Sequence, residues 1–248
     1  MIVNLAFFFL LGIIFGSFLN SLIYRLHEKL PLGGRSFCVF CKKQLLKRDL
    51  IPLLSFLYLK AKCRFCREKI SWQYFWVELI AGILFILVFL KYENLNLFLA
   101  RDLFFILVLI FIFIYDLRFK LVLDQLVFPV LIIATLLNFI LGFTWLDLLT
   151  GILIGGGFFA LQYLSSKGRS IGLGDIKLGI LLGGMFGWQM IILIILLAYL
   201  IGGIIAIILL INKKKNWGDF LPMGSFLAIS AIIVLLYGEL IWQFIYNL

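Results

Sequence analysis

Charge is scarce in this chain: only 14% of its 248 residues are charged, where a soluble domain has about a quarter. Apolar residues make up 65%, more than one aqueous core can hide, so a soluble globular fold is excluded. Histidine is scarcer still. The single one, His27, stands beside Glu28 with no metal-ligand partner at useful spacing. That removes a histidine-assisted Ser or Cys nucleophile and a histidine-bound zinc hydrolase. The first residues lack a basic region and an Ala-x-Ala cleavage site, and their apolar run has the length of a bilayer span, so a retained helix is expected. No low-complexity segment or convincing repeat stands out.

What is present is a series of apolar runs at 2–24, 73–90, 102–115, 126–143, 146–164, 176–188, 190–211 and 221–245. They predict an all-α polytopic membrane protein of about eight transmembrane helices, since a span needs roughly 17–25 apolar residues. The break between the sixth and seventh rests on Gly187-Trp188-Gln189. The expected domains are a first transmembrane helix at 1–24, a polar segment at 25–71 and a seven-helix membrane domain at 72–248.

Net charge is +10, and it is unevenly placed. The polar segment carries 12 of the basic residues against Glu28, Asp49 and Glu68. Strict alternation of eight spans puts every one of the 22 Lys and Arg residues except Lys91 and Arg101 on one side. By the positive-inside rule that side is cytoplasmic and both termini are outside. Orientation therefore accounts for the charge, and no nucleic acid is expected as a partner. The basic segment is expected to be drawn to anionic membrane lipids.

All four cysteines lie in the polar segment, as Cys38-Val-Phe-Cys41 and Cys63-Arg-Phe-Cys66. Two Cys-x-x-Cys knuckles match a four-thiolate zinc site of the ribbon type, because that spacing lets both sulfurs of a knuckle reach one tetrahedral ion. Disulfides are the rival, and cytoplasmic placement argues against them. Four protein ligands leave no open position, so the metal is expected to be structural.

Two acids then draw notice. Asp116 ends a span in Tyr115-Asp116-Leu117-Arg118, and Asp175 opens one in Gly172-Leu173-Gly174-Asp175-Ile176-Lys177. The charge rule, which knows nothing of catalysis, puts both on the cytoplasmic side. Taken singly, Asp116 is equally a solvated helix end paired with Arg118 or Lys120, and Asp175 equally an N-cap. Taken together they suggest a pair sharing one proton. The ionised member takes a proton from water as it attacks a carbonyl, and the protonated member polarises that carbonyl. Gly172 and Gly174 permit positive φ and close approach of a substrate strand, which makes Gly172, Gly174 and Lys177 the candidate substrate-facing loop. Asp124 is the main rival for first carboxylate. Asp147 reads as a cap or a solvated end, Asp219 as a cytoplasmic acid, and Glu78 as an acid about a turn inside the second span, paired with a base of the cysteine segment.

The ordered set Gly16-Ser17-Phe18-Leu19-Asn20, Tyr24-Arg25, both Cys-x-x-Cys pairs, Asp49-Leu50-Ile51-Pro52-Leu53-Leu54-Ser55, Asp116-Leu-Arg, Gly-Leu-Gly-Asp175 and Leu221-Pro222-Met223-Gly224-Ser225-Phe226 resembles the type IV prepilin peptidases, Gly-x-Gly-Asp intramembrane aspartic proteases. The resemblance covers nearly the whole chain. It implies a bacterial inner-membrane enzyme that removes the short basic leader of type IV prepilins, pseudopilins or competence pilins at the cytoplasmic face. Many members also methylate the new N-terminal residue with S-adenosylmethionine. The resemblance places the catalytic pair on Asp116 and Asp175, the zinc ligands on Cys38, Cys41, Cys63 and Cys66, and leaves Asp124 a bystander. Two departures are visible. Val39 stands where the family often has Pro, and Val122-Leu123-Asp124 where it often has Leu-Pro-Asp; neither falls on a catalytic or ligand position. A related protease with another substrate and a non-enzymatic zinc-bearing scaffold are the alternatives.

Overall fold

A computed structural model of the chain describes residues 2–169, 171–214, 216 and 221–247. Among them the regular elements are helices, and the extended contacts are two isolated bridges, Phe37 with Gln44 and Lys62 with Lys69. Six helices are long and apolar enough to cross a membrane, so this is a multi-pass membrane protein. The chain divides into two compact units, Met1–Leu99 and Ala100–Leu248.

In the first unit, α1 (Ile2–His27) and α3 (Trp72–Tyr92) run antiparallel. The register is fixed at one end by the stacked rings of Phe8 and Phe89, 4.5 Å apart. At the other the Asn20 amide donates to the Tyr74 carbonyl at 3.2 Å. Between these points a Cβ on Gly12 would lie 2.6 Å from the Ala81 carbonyl oxygen. Lipid tails offer no hydrophobic drive for helix association, so bare backbone meeting bare backbone supplies the contact. A short α2 (Leu54–Tyr58) lies in the intervening segment. Glu78 is buried on α3, but among the described residues no base pairs with it as the sequence suggested. Its carboxylate accepts the Leu53 N–H at 2.7 Å and a bond from Ser17. Leu53 has φ 60 and ψ −52, and the Leu54 N–H donates to the Pro52 carbonyl, so Glu78 fastens a tight γ-turn to the membrane helices.

The second unit holds most of α4 (Leu97–Phe119), then α5 (Asp124–Ile140), α6 (Trp145–Ser166), α7 (Leu173–Ile211) and α8 (Met223–Tyr246). Here the span count differs from expectation. The run at 126–143 falls on α5, whose 17 residues are few for a span. The runs at 176–188 and 190–211 both fall within α7, 39 residues long, in which two helical stretches are joined across a break. A straight helix of that length would measure about 58 Å, close to twice the hydrocarbon thickness of a bilayer.

It is not straight. Gly187 has φ 75 and ψ 179, outside any helical region. Gly155 of α6 touches both sides of that break: a Cβ there would overlap the Gly179 carbonyl and lie 3.1 Å from Ile191 Cγ1. On a straight helix those two contacts would be about 18 Å apart. The chain therefore folds back at Gly187, where the sequence placed its turn. Carbonyls 184 and 185 have their helical donors beyond the break, and buried Asn138 of α5 serves them instead, donating to Gly184 at 3.0 Å and Met185 at 2.9 Å. The first half of α7 lies against α6 through glycines on both: a Cβ on Gly151 would come 2.6 Å from the Gly183 carbonyl oxygen.

Candidate active site

Asp116 sits in the last turn of α4 and is 7% exposed. Its Oδ2 accepts the Ser225 backbone N–H at 2.6 Å and lies 3.0 Å from the Ser225 hydroxyl. The solvated helix end that the sequence allowed is not what forms. The carboxyl group is instead held by the first turn of α8, whose free N–H groups are natural partners for an anion. That approach needs bare backbone. A Cβ on Gly224 would lie 2.9 Å from Asp116 Cγ and 2.8 Å from Leu178 Cδ1. Leu178 is on the same face of α7 as Asp175, three residues on, so the ends of α4 and α7 converge on one point of α8.

Asp175 occupies the first turn of α7, where its Oδ2 accepts the Gly172 N–H at 3.1 Å. The N-cap is therefore Gly172 and not Asp175, which stands third in the helix and reaches back to the cap's N–H through one carboxylate oxygen. Asp116 lies within electrostatic reach of Asp175, as does Tyr199 of the returning half of α7, whose hydroxyl donates to Gln162 at 2.6 Å. Gly172 has φ −86, so positive φ is not what the glycines provide. Gly174 provides closeness: a Cβ there would lie 2.9 Å from Val122 Cγ2. The expected close approach exists, with Val122 of the α4–α5 connector as the neighbour. Val122 also lines an apolar crevice with Phe111, Tyr115, Leu121, Leu126 and Leu178.

Lys177 bridges to Asp124, the first residue of α5, at 2.5 Å, both side chains partly exposed. The rival carboxylate is therefore engaged by the candidate loop's own lysine. Asp147 accepts from the hydroxyl of Thr144, the N-cap of α6, at 2.8 Å and gives its N–H back at 3.1 Å, so of its two readings it takes part in the cap. Asp219 lies outside the described residues.

In the first unit, Cys38, Cys41, Cys63 and Cys66 bring their sulfurs within 4.8 Å of one another, and all four are free thiols. The Cys38 and Cys66 sulfurs are 3.8 Å apart, the edge of a tetrahedron with metal–sulfur bonds of about 2.3 Å. The residues therefore fit a four-thiolate metal. Each knuckle repeats the same backbone plan. Cys38 N–H donates to Lys43 O and Lys42 N–H to Cys38 O; Cys63 N–H donates to Glu68 O and Arg67 N–H to Cys63 O. Lys42 and Arg67 turn each loop at φ 58 and φ 62. This short repeat was invisible in the sequence because backbone bonds, rather than side chains, carry it. Burial opposes ionisation of Cys63, yet the N–H groups of Cys66 and Phe65 and the neighbouring thiols hold its pKa down at about 7, and a thiolate is the form that takes metal. The paired Arg64 side chain holds the Asp49 carboxyl below its usual range, at 2.7 Å.

Sequence reasoning missed Gly224, Ser225 and Val122 as parts of the site. Leu221 to Phe226 stood out as a motif, but nothing in it named Asp116 as its partner.

Comparison with known proteins agrees with this layout. Residues 10–92 match the Bacterial Peptidase A24 N-terminal domain and residues 103–207 the Type IV leader peptidase family. The chain is 32% identical to a prepilin leader peptidase/N-methyltransferase of Aeromonas salmonicida, over 93% of this chain and 90% of the relative. It is 30% identical to the Bacillus subtilis protein of that name, over 97% of each. For the Vibrio cholerae protein the figure is 30%, over 94% of this chain and 96% of the relative. No solved structure matches the chain.

Proposed function

Since this chain belongs to the type IV leader peptidase family, we infer that it cleaves the leaders of prepilin-type proteins with Asp116 and Asp175 as its catalytic pair. The observation that carries the assignment is that Asp116 of α4 and Leu178, three residues after Asp175 on α7, meet the same Gly224–Ser225 turn of α8, with the two acids within electrostatic reach of each other. The ionised member takes a proton from water as the water oxygen bonds to the scissile carbonyl carbon. The protonated member gives its proton to the carbonyl oxygen. As the C–N bond breaks, the proton taken from water passes to the amine nitrogen, and one hydroxyl of the gem-diol returns its proton to the other carboxylate as the carbonyl re-forms, so the pair again holds one proton. Gly172, Gly174 and Lys177 form the loop beside which the substrate lies.

Substrates of this kind, whether type IV prepilins, pseudopilins or competence pilins, carry a polar leader before an apolar helix. Their scissile bond sits at the membrane boundary, the depth of helix ends such as those bearing the two acids. Orientation follows from the basic residues of the 25–71 segment, which put that segment and the active site at the cytoplasmic face of the bacterial inner membrane. The cysteines hold zinc, which as a four-coordinate ion contributes folding and no open ligand position. The relatives' name carries a second activity, that of an N-methyltransferase, for which S-adenosylmethionine is the methyl donor we propose. The apolar crevice beside Val122 offers no acid or amide for such a polar cofactor, and no residue is assigned to it.

The test is cleavage of a purified prepilin by wild type, Asp116→Asn and Asp175→Asn in detergent or vesicles. Each variant is expected to lose about 10³-fold or more of the rate. Full activity in either ends the assignment.

A further inference from the structure

We infer that Ser225 is a positioning residue for Asp116, its hydroxyl following the carboxyl group through the change of protonation that hydrolysis demands; this rests on the assignment of Asp116 to the catalytic pair. Ser225 is 2% exposed. Its Oγ lies 3.0 Å from Asp116 Oδ2 and 3.2 Å from the Phe113 carbonyl oxygen. One hydroxyl hydrogen serves one of these at a time. With Asp116 ionised, the hydroxyl donates to Oδ2 beside the Ser225 N–H, which is already there at 2.6 Å. With a proton on Oδ2, the carboxyl group donates to Oγ and the hydroxyl turns to Phe113. Either way no buried polar atom at this point is left without a partner as the proton comes and goes.

Alanine at 225 keeps the backbone N–H and removes only the side-chain donor. The loss falls on the ionised state, which had two donors, more heavily than on the neutral one. The other charged groups facing Asp116 are Asp175 from α7 and Lys120 beyond the end of α4. The Lys177–Asp124 pair lies at the starts of α7 and α5. Because Asp175 titrates with Asp116, the pH profile belongs to the pair, and the comparison must be between variants with Asp175 intact.

The experiment measures kcat and KM for prepilin cleavage against pH with wild type, Ser225→Ala, Ser225→Thr and Asp116→Asn, each checked for folding by thermal denaturation. Ser225→Ala is expected to keep KM within about twofold, lower kcat about tenfold and move the acidic limb up by roughly one pH unit. Ser225→Thr restores both. If Ser225→Ala does not fold, Ser225→Cys, similar in size and a weaker donor, is expected to move the same limb in the same direction. An unshifted profile, or a loss confined to KM, overturns the role given to Ser225. An active Asp116→Asn overturns the underlying assignment instead, and the two failures are told apart by which variant deviates.

Discussion

Gly224 leaves no room between α8 and the Asp116 carboxyl group: a Cβ there would lie 2.9 Å from Cγ and 3.0 Å from Oδ2. On its other side is Leu178 Cδ1 at 2.8 Å, a terminal methyl that can rotate away. The carboxyl group cannot, because moving it breaks its bonds to Ser225. Gly224→Ala is therefore expected to fold and to lose about 10- to 100-fold in kcat, as displacements of about an ångström in an active site do. A variant with the melting temperature and kcat of wild type would show that Asp116 has slack.

Val122 and Gly174 form a second tight contact, at 2.9 Å from the position of an added Cβ. Here the obstructing atom is a branched side chain and can be cut back. Gly174→Ala alone is expected to reduce cleavage several-fold by pushing the Asp175 turn off the connector. Val122→Ala in the same chain should recover most of it, giving a coupling of about 1 kcal/mol in a double-mutant cycle. Additive losses would mean that the two residues act separately.

Asp124 supplies a contrast. Its bridge to Lys177 is short, but both partners are partly exposed, and such pairs are worth about 0–1 kcal/mol. Asp124→Asn is expected to keep cleavage within about threefold of wild type, with the difference fading as salt is raised. A loss comparable to that of Asp116→Asn would restore Asp124 as a catalytic candidate.

These three contacts mark where sequence reading stopped. The apolar runs gave the helices, because burial in lipid leaves a long, uninterrupted signature. The fold-back at Gly187 was legible from one glycine beside Trp188 and the polar Gln189, since only glycine accepts φ 75 at little cost. The ends of α4 were not: the run at 102–115 became Leu97–Phe119, extended through Arg101 at one end and through Asp116 and Arg118 at the other. Asp102 and Arg101 pair at 2.7 Å, which lets charge enter a helix that hydropathy alone would end. Ser225 and Asp116 are 109 residues apart, and a hydroxyl in the first turn of an apolar helix names no distant partner. The acids could be found because they are rare; the groups that hold them are common residue types.

The cysteine site yields a metal prediction with a pH dependence. Purified protein is expected to carry one zinc per chain, and Cys63→Ser or Cys41→Ser to lose it, measured by elemental analysis and thiol titration. Thiols must ionise to bind, so binding releases protons and affinity falls as pH falls. Cys63, with its pKa near 7, ionises first, so the affinity should drop most steeply once pH passes below that value. Metal content independent of all four cysteines would remove the ribbon reading.

Asn138 tests whether the hairpin in α7 is held from outside. It is fully buried, donates to the carbonyls of Gly184 and Met185, and accepts from Arg101 at 3.1 Å. Asn138→Leu keeps the volume but strands those carbonyls just before the break, at a cost of about 1–3 kcal/mol for each group left unmet. Gly187 permits the turn without selecting it, since a glycine can as easily lie in a helix that runs on. If the amide makes the selection, the variant should melt lower and become open to protease near Gly187, with cleavage falling because Asp175 stands at the far end of the loosened segment. If Asn138→Leu melts as wild type does, the glycine contacts between α6 and α7 fix the fold-back by themselves, and Gly155→Ala becomes the substitution that undoes it.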